Sequence, residues 1–253
     1  MNIIHRFAIL VIALLAVQNS FIFSQVNKHA KNSTSPDTSG MVLVNGGSFN
    51  LGNKNENNAY TIILDSFYID KYEVTVKQFK EFCDAKGRQM PDEPEWGWID
   101  NHPMVNVTWF DAVEYAEWVG KRLPTETEWE LAARGGDRSK GFLYAGANRI
   151  DDVAWYFHNG SNKTHPVGKL KPNELGIYDM SGNVWEWCSD WFSEPIAPGS
   201  TLRNPRGPDR GEGKTLRGGS WLSDIDVIST SFRNWAQPEV RIGDYGFRCV
   251  VTK

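Results

Sequence analysis

Gly176 to Trp191, GIYDMSGNVWEWCSDW, packs turn formers, acids and indoles more densely than any other part of the chain, and so narrows what the rest can fold into. Ser181, Gly182 and Asn183 favour a tight turn whose backbone carbonyls can point inward. Asp179 and Glu186 flank that turn, seven residues apart. Two carboxylates with inward carbonyls form the oxygen set that calcium takes, because that ion accepts about six to eight oxygens in flexible geometry. Trp185, Trp187 and Trp191 would then wall off the ion on its apolar side. A plainer reading of the same residues is that the acids cap turns and the indoles fill a core.

The 253 residues fit one large domain or two small ones, and 11 Trp give ample material for a core. The 23 Gly and 12 Pro argue for much irregular backbone rather than long helices. A net charge of -4 with no Lys/Arg cluster excludes a nucleic-acid surface. Met1 to Ser24 has a short basic head, His5 and Arg6, before an apolar run, Phe7 to Val17, of secretory-signal length. The alternative is an uncleaved membrane anchor. No Cys follows the run, which argues against a lipid anchor. The mature protein is therefore expected to be exported, periplasmic or secreted, with no stable membrane anchor. Gln25 to Gly40 is polar throughout and reads as a disordered tether, leaving 41–253 as the domain. Three cysteines, Cys83, Cys188 and Cys249, allow at most one disulfide in an exported chain. Equally, all three read as small buried apolar residues.

Three helices are marked by their caps. Thr75 with Gln78 forms a capping box ahead of Val76, Phe79, Phe82 and Cys83, with Gly87 as the stop. Thr108 caps a second helix carrying Ala112, Tyr115, Ala116 and Val119, and Thr125 with Glu128 opens a third that ends at Gly135-Gly136. All three read as amphipathic, with the apolar face in the core. Asn45-Gly46-Gly47 between two apolar runs is a hairpin signal, Thr61 to Ile69 is a strand candidate, and LRGGSW and YGFRCVV read as late buried strands of the sheet. After Gly141 no helical periodicity is sustained. The fold class is α+β, a single domain with much irregular structure.

GIYDMSGNVWEW, RLPTETEWELAARGG (122–136), RGGSW (217–221) and GFR (246–248) together resemble the formylglycine-generating enzyme, or sulfatase-modifying factor, family over about Met41 to Val251. The resemblance implies a domain related to C-type-lectin-like folds, with structural calcium. It places one calcium set at Asp179, Gly182, Val184 and Glu186, and a second at Asp152, Val153, Asn159 and Ser161. Asp179 stands where the family often has Asn, which keeps an oxygen ligand and adds charge.

The same resemblance breaks at the reacting centre. The family's oxidases hold copper(I) with two cysteines shortly after RGGS, and soft thiolates are what that ion requires. Counted from Arg217, those positions here are Ser223 and Ile228, so copper is not an expected cofactor. A relocated Cys188–Cys249 pair, or an iron centre built from His102, His158 and His165, would be needed for a metal oxidase of another kind. The family's peptide groove maps to Trp221, Ser223, Asp224, Ser231, Arg233, Asn234 and Trp235, whose indoles and amides suit an extended peptide or a glycan. Arg217 and Arg248 read as structural, and Arg233 and Trp235 as the exposed pair. The expected function is that of an exported sulfatase-modifying-factor homologue, working beside sulfatases or in sulfated-polysaccharide breakdown, without the oxidation itself. The alternative is a structural or ligand-binding envelope protein like the family's gliding-motility lipoproteins.

Overall fold

The computed structural model describes residues 37–51 and 60–253. The expected export signal and most of the tether lie outside them. The tether's last residues, 37–40, form a turn, in which Met41 N donates to Thr38 O at 3.1 Å and Lys71 N reaches Gly40 O at 3.2 Å. Among the described residues no helix is long and apolar enough to cross a membrane.

The three helices stand where their caps put them. α1 (Val76–Lys86) has the full capping box of Thr75 and Gln78 and ends on Gly87 in the left-handed conformation, φ 64°. α2 (Trp109–Trp118) is boxed by Thr108 and Asp111, and α3 (Glu126–Ala133) by Thr125 and Glu128. Each box satisfies two of the amide donors that a helix start leaves orphaned, and replacing such a cap typically costs about 1 kcal/mol. α3 departs from the amphipathic expectation, because all eight of its residues are buried, four acidic or hydroxyl side chains among them. Its acidic side chains pair with Arg122, Arg134, Arg217 and Arg233.

Among the described residues ten short strands build three sheets. β1 (Met41–Val44), β4 (Phe67–Asp70) and β10 (Val250–Thr252) form one, with β4 in the middle. β2 (Gly47–Leu51), β3 (Tyr60–Leu64) and β6 (Thr201–Arg203) form the second. In the third, β5 (Trp185–Trp191) and β7 (Lys214–Arg217) lie between β8 (Asn234–Ala236) and β9 (Tyr245–Gly246).

Several sequence expectations change here. Asn45-Gly46-Gly47 is a crossing between sheets, not a hairpin, since β1 pairs with β4 and β2 with β3. A Cβ on Gly46 would lie 2.5 Å from Leu64 O, so glycine serves the close approach of two chains rather than a tight turn. The expected strands also change, since the one from Thr61 breaks at Asp65-Ser66 into β3 and β4, YGFRCVV is shared between the third and first sheets, and LRGGSW is strand only at Leu216 and Arg217.

Two large apolar clusters fill the interior, one on α1, α2 and Trp187, the other on Trp129, Ile62, Phe67 and Met180. Trp129 and Trp187 are fully buried. An indole removes about 200 Å² from water, a gross gain of about 5 kcal/mol each. All three cysteines are buried and free, so the disulfide alternative gives way to the apolar one. Burial raises the pKa of each thiol.

Candidate functional site

The turn ahead of β5 has the expected shape. Asp179, Gly182 and Asn183 adopt positive φ of 58°, 78° and 62°. Such a backbone suits Gly, and Asn or Asp tolerate it because their short side chains bond locally. Gly182 is required there, since a Cβ would sit 2.2 Å from Trp155 O. Asn183 ties the turn down, its Oδ1 accepting from His165 N at 2.9 Å and its Nδ2 donating to Glu73 Oε2 at 2.8 Å.

Beneath the turn lies a buried ionic cluster. Arg248, fully enclosed, donates from Nε and Nη2 to the two oxygens of Glu186 at 2.7 Å each, and from Nη2 to Tyr178 O at 2.9 Å. Trp129 Nε1 adds a bond to Glu186 Oε2 at 2.8 Å. Asp179 accepts from Gly168 N at 2.7 Å, and burial pushes its pKa up to about 6. Glu73 also lies here, fully buried, with no described partner for its Oε1. Burial, then the charges of Asp179 and Glu186, raise its pKa well above the usual carboxylate range. Three carboxylates thus share one guanidinium. Glu73 was missed in the sequence, where it is one more charged residue shortly after Asp70 and Lys71 and carries no local mark of burial.

The groups expected here to hold calcium are all oxygen donors, the class that ion takes. The Asp179 carboxylate and the carbonyls of Gly182 and Val184 are hard oxygens from one turn, as the ion requires. Glu186 Oε1 accepts one hydrogen bond and Oε2 two, which of roughly four lone-pair directions leaves one on Oε1. The second set is not assembled in the same way. Asp152 Oδ2 faces Lys171 at 3.0 Å, while Asn159 closes its own turn by accepting from Tyr156 N at 2.7 Å and donating to Ala154 O at 2.9 Å. Val153 is buried, and Ser161 is exposed with φ 51°.

After β7 the chain turns through RGGSW. Ser223 Oγ accepts from Ser220 N at 2.9 Å, and Ser220 Oγ donates to Asp244 Oδ2 at 2.7 Å. Ile228 is fully buried beside Gly219, where an added Cβ would lie 2.8 Å from its Cγ1. A hydroxyl within a hydrogen-bonded group and an aliphatic side chain therefore occupy the two positions where copper(I) would need thiolates, and the residues present do not fit that ion. Cys188 and Cys249 sit in different apolar clusters. His102 Nδ1 meets Thr164 Oγ1 at 2.8 Å, and His165 stacks on Trp155 at 3.8 Å between centroids. Burial lowers the pKa of both, that of His102 to about 4. Among the described residues no three His, Cys, Asp or Glu side chains form a metal-binding group.

The expected groove divides into two. Trp221 packs edge-on against Trp96, and Phe157 N bonds Ser223 O at 3.1 Å, so Phe157, Leu222 and Ile225, 52%, 50% and 43% exposed, form an apolar rim around the serines. Arg233 belongs elsewhere. Its Nε and Nη2 reach Glu126 Oε1 and Oε2 at 2.5 and 2.8 Å, and its side chain is only 23% exposed, which corrects the expectation of a free surface arginine. Arg217 is structural as expected, held by Glu126, Glu130 and Thr230 O. Asn234 and Trp235 lie on β8, at one edge of the third sheet, with the Trp235 indole near Phe192.

Comparison with known proteins gives these features a context. The sulfatase-modifying factor enzyme 1-like domain matches residues 26–253. The chaperone protein LppX of Paenibacillus barcinonensis is 34% identical, over 84% of this chain and 89% of that protein. The formylglycine-generating enzyme of Thermomonospora curvata is 31% identical, over 83% and 92% respectively. The serine/threonine-protein kinase Pkn1 of Chlamydia trachomatis is 35% identical, but the match spans only 38% of its length. Among solved structures, Treponema denticola variable protein 1 superposes with a TM-score of 0.73 at 28% identity, covering 84% of this chain and 95% of that one. The motifs, the mixed α/β architecture and these matches agree: the chain belongs to the sulfatase-modifying factor enzyme 1-like domain family.

Proposed function

We propose that this protein is a non-oxidising member of its family, an exported accessory protein that binds extended polypeptide, sulfatase chains included, at the RGGSW turn. The observation that carries the reading is the pair Ser223 and Ile228, one hydrogen-bonded to Ser220 and the other fully buried, where an oxidase would present two thiolates. The exposed rim of Phe157, Leu222 and Ile225 beside buried polar groups supports binding without chemistry. Apolar anchors flanking a few fixed donors and acceptors suit an extended peptide, and edge strand β8 offers main chain for strand addition. Likeness to a protein named as a chaperone points the same way. In this reading Asp179, Glu186 and the carbonyls of Gly182 and Val184 hold a calcium ion, which fixes the turn from which Asn183 O accepts the Trp221 amide at 2.9 Å.

The test pairs mass with binding. The purified protein, supplied with copper(I), oxygen and a reductant, is incubated with a labelled peptide carrying a sulfatase Cys-x-Pro-x-Arg motif, beside an oxidising relative as control. Unchanged peptide mass with saturable fluorescence anisotropy, weakened by Leu222→Ala, is the expected result. Conversion of the cysteine to formylglycine, or no binding of the peptide, would overturn the reading.

A further inference from the structure

A cavity of about 590 Å³ is lined by residues of α3, the end of β5 and the 193–208 segment that carries β6. Its floor is a closed ionic network. Glu126 Oε1 accepts from Arg217 Nη1 at 3.0 Å and from Arg233 Nε, its Oε2 accepts from Arg233 Nη2, and Glu130 takes Arg134 Nε at 2.8 Å and Arg217 Nη2 at 2.9 Å. Every oxygen of these two carboxylates already faces a guanidinium. The floor therefore has little net field to draw in a cation or an anion, yet presents fixed polar edges.

Tyr60, Asp190 and Arg233 line this cavity, and the hydrogen bonds of the last two run through Asp190 Oδ2 and Arg233 Nε and Nη2, which leaves Oδ1 and Nη1 uncommitted. Asp190 is 4% exposed and engages only its Oδ2, which accepts from Glu126 N at 2.9 Å and Ser189 Oγ at 3.0 Å. Tyr60 is held in its protonated form by burial and by Glu130, so its phenol can both donate and accept. Apolar walls complete the site, from Trp191, Ile196, Leu202 and Pro205. Lys214 Nζ sits 4.0 Å over the Trp191 ring and fixes that indole.

We propose that this cavity binds a saccharide, one neutral sugar ring either free or at the end of a glycan. A hydroxyl donates and accepts at once, so ring hydroxyls can meet both the Asp190 carboxylate and the Arg233 guanidinium that line the cavity. The C–H face of a pyranose packs on an indole and aliphatic walls of this kind. Neither a phosphate nor an ammonium group finds an unpaired counter-charge on a floor whose carboxylates and guanidiniums already hold one another. The volume lies within the usual range for small-molecule sites, about 300–1,000 Å³.

The test is saturation-transfer NMR on the full chain with the methyl glycosides of glucose, galactose, mannose, N-acetylglucosamine and xylose. At least one should receive saturation on its ring protons, with a Kd on the order of 1 mM. Tyr60→Phe, which removes only the phenol hydroxyl, should weaken that glycoside about three- to tenfold. Leu202→Trp should abolish binding by filling the cavity, with the melting temperature unchanged in both variants. Trp221→Ala should leave it intact while weakening the peptide complex, which separates this site from the RGGSW surface. Absence of transfer to every glycoside, transfer that persists in Leu202→Trp, or an unaltered Kd in Tyr60→Phe overturns the proposal.

Discussion

Replacing Arg248 by Met should strip the buried cluster of its counter-charge while nearly preserving volume. Arg248 is fully buried and holds both oxygens of Glu186, itself only 1% exposed, and Tyr178 O as well. Breaking one side of a buried pair costs about 3–5 kcal/mol, because the remaining charge loses its partner, and an orphaned carbonyl adds about 1 kcal/mol. The expected loss is about 4–6 kcal/mol, or on the order of 10–20 °C in melting temperature for a domain of this size. Glu73 and Asp179 make the loss pH-dependent. Arg248 lowers the pKa of both, so without it their folded-state values rise further. A carboxyl whose folded pKa is raised contributes stability at low pH that is lost as pH rises through that value. The variant should therefore recover on going from neutral pH toward about pH 5. Urea unfolding followed by tryptophan fluorescence in EGTA measures this at both pH values. The double variant Glu186→Gln with Arg248→Met should be more stable than Arg248→Met alone, because it removes the carboxylate that Arg248 pairs directly. A loss below about 1 kcal/mol at neutral pH, or a double variant no better than the single, would refute the argument.

Gly182→Ala should cost more than about 3 kcal/mol through the 2.2 Å approach to Trp155 O, whereas Gly176→Ala, at a similar positive φ with nothing within 4 Å, should cost only about 1 kcal/mol; equal melting temperatures would contradict this. Asp190 is raised to about 6, chiefly by burial, so its contribution is present below about pH 4 and lost as pH rises to about 6. Asp190→Asn should remove that fall and gain up to about 3 kcal/mol at neutral pH, read from stability-versus-pH curves; unchanged curves would show that the acid is not desolvated. Calcium added to EGTA-treated protein should stabilise the fold by about 2.7 kcal/mol at a hundredfold excess over Kd, read as a higher melting temperature, and Asp179→Ala should abolish the increment. A calcium response that survives in Asp179→Ala would move the ion elsewhere.

The contrast between Thr75 and Asn45 shows what could be read along the chain. A capping box closes within three residues, so Thr75, Thr108 and Thr125 declared their helices without tertiary help. Asn45-Gly46-Gly47 carries the local mark of a hairpin, but its glycine answers to Leu64 and Ser66, and sequence periodicity says nothing of such a neighbour. Arg233 misled for the same reason, since its partner Glu126 lies 107 residues away.

The sequence by itself determined the family, the positions of the helices, the Ser181-Gly182-Asn183 turn and the loss of both thiols at Ser223 and Ile228, because each of these is a matter of residue type and short spacing. Only the tertiary structure decided which acid meets which arginine. Glu73, the neighbouring pair Asp179 and Glu186, and Arg248 meet from three separate parts of the chain, and Glu126 and Glu130 converge on Arg217 and Arg233. In a low-dielectric interior charges find partners by proximity in space, and that proximity is set by packing three sheets around fully buried indoles rather than by any local pattern.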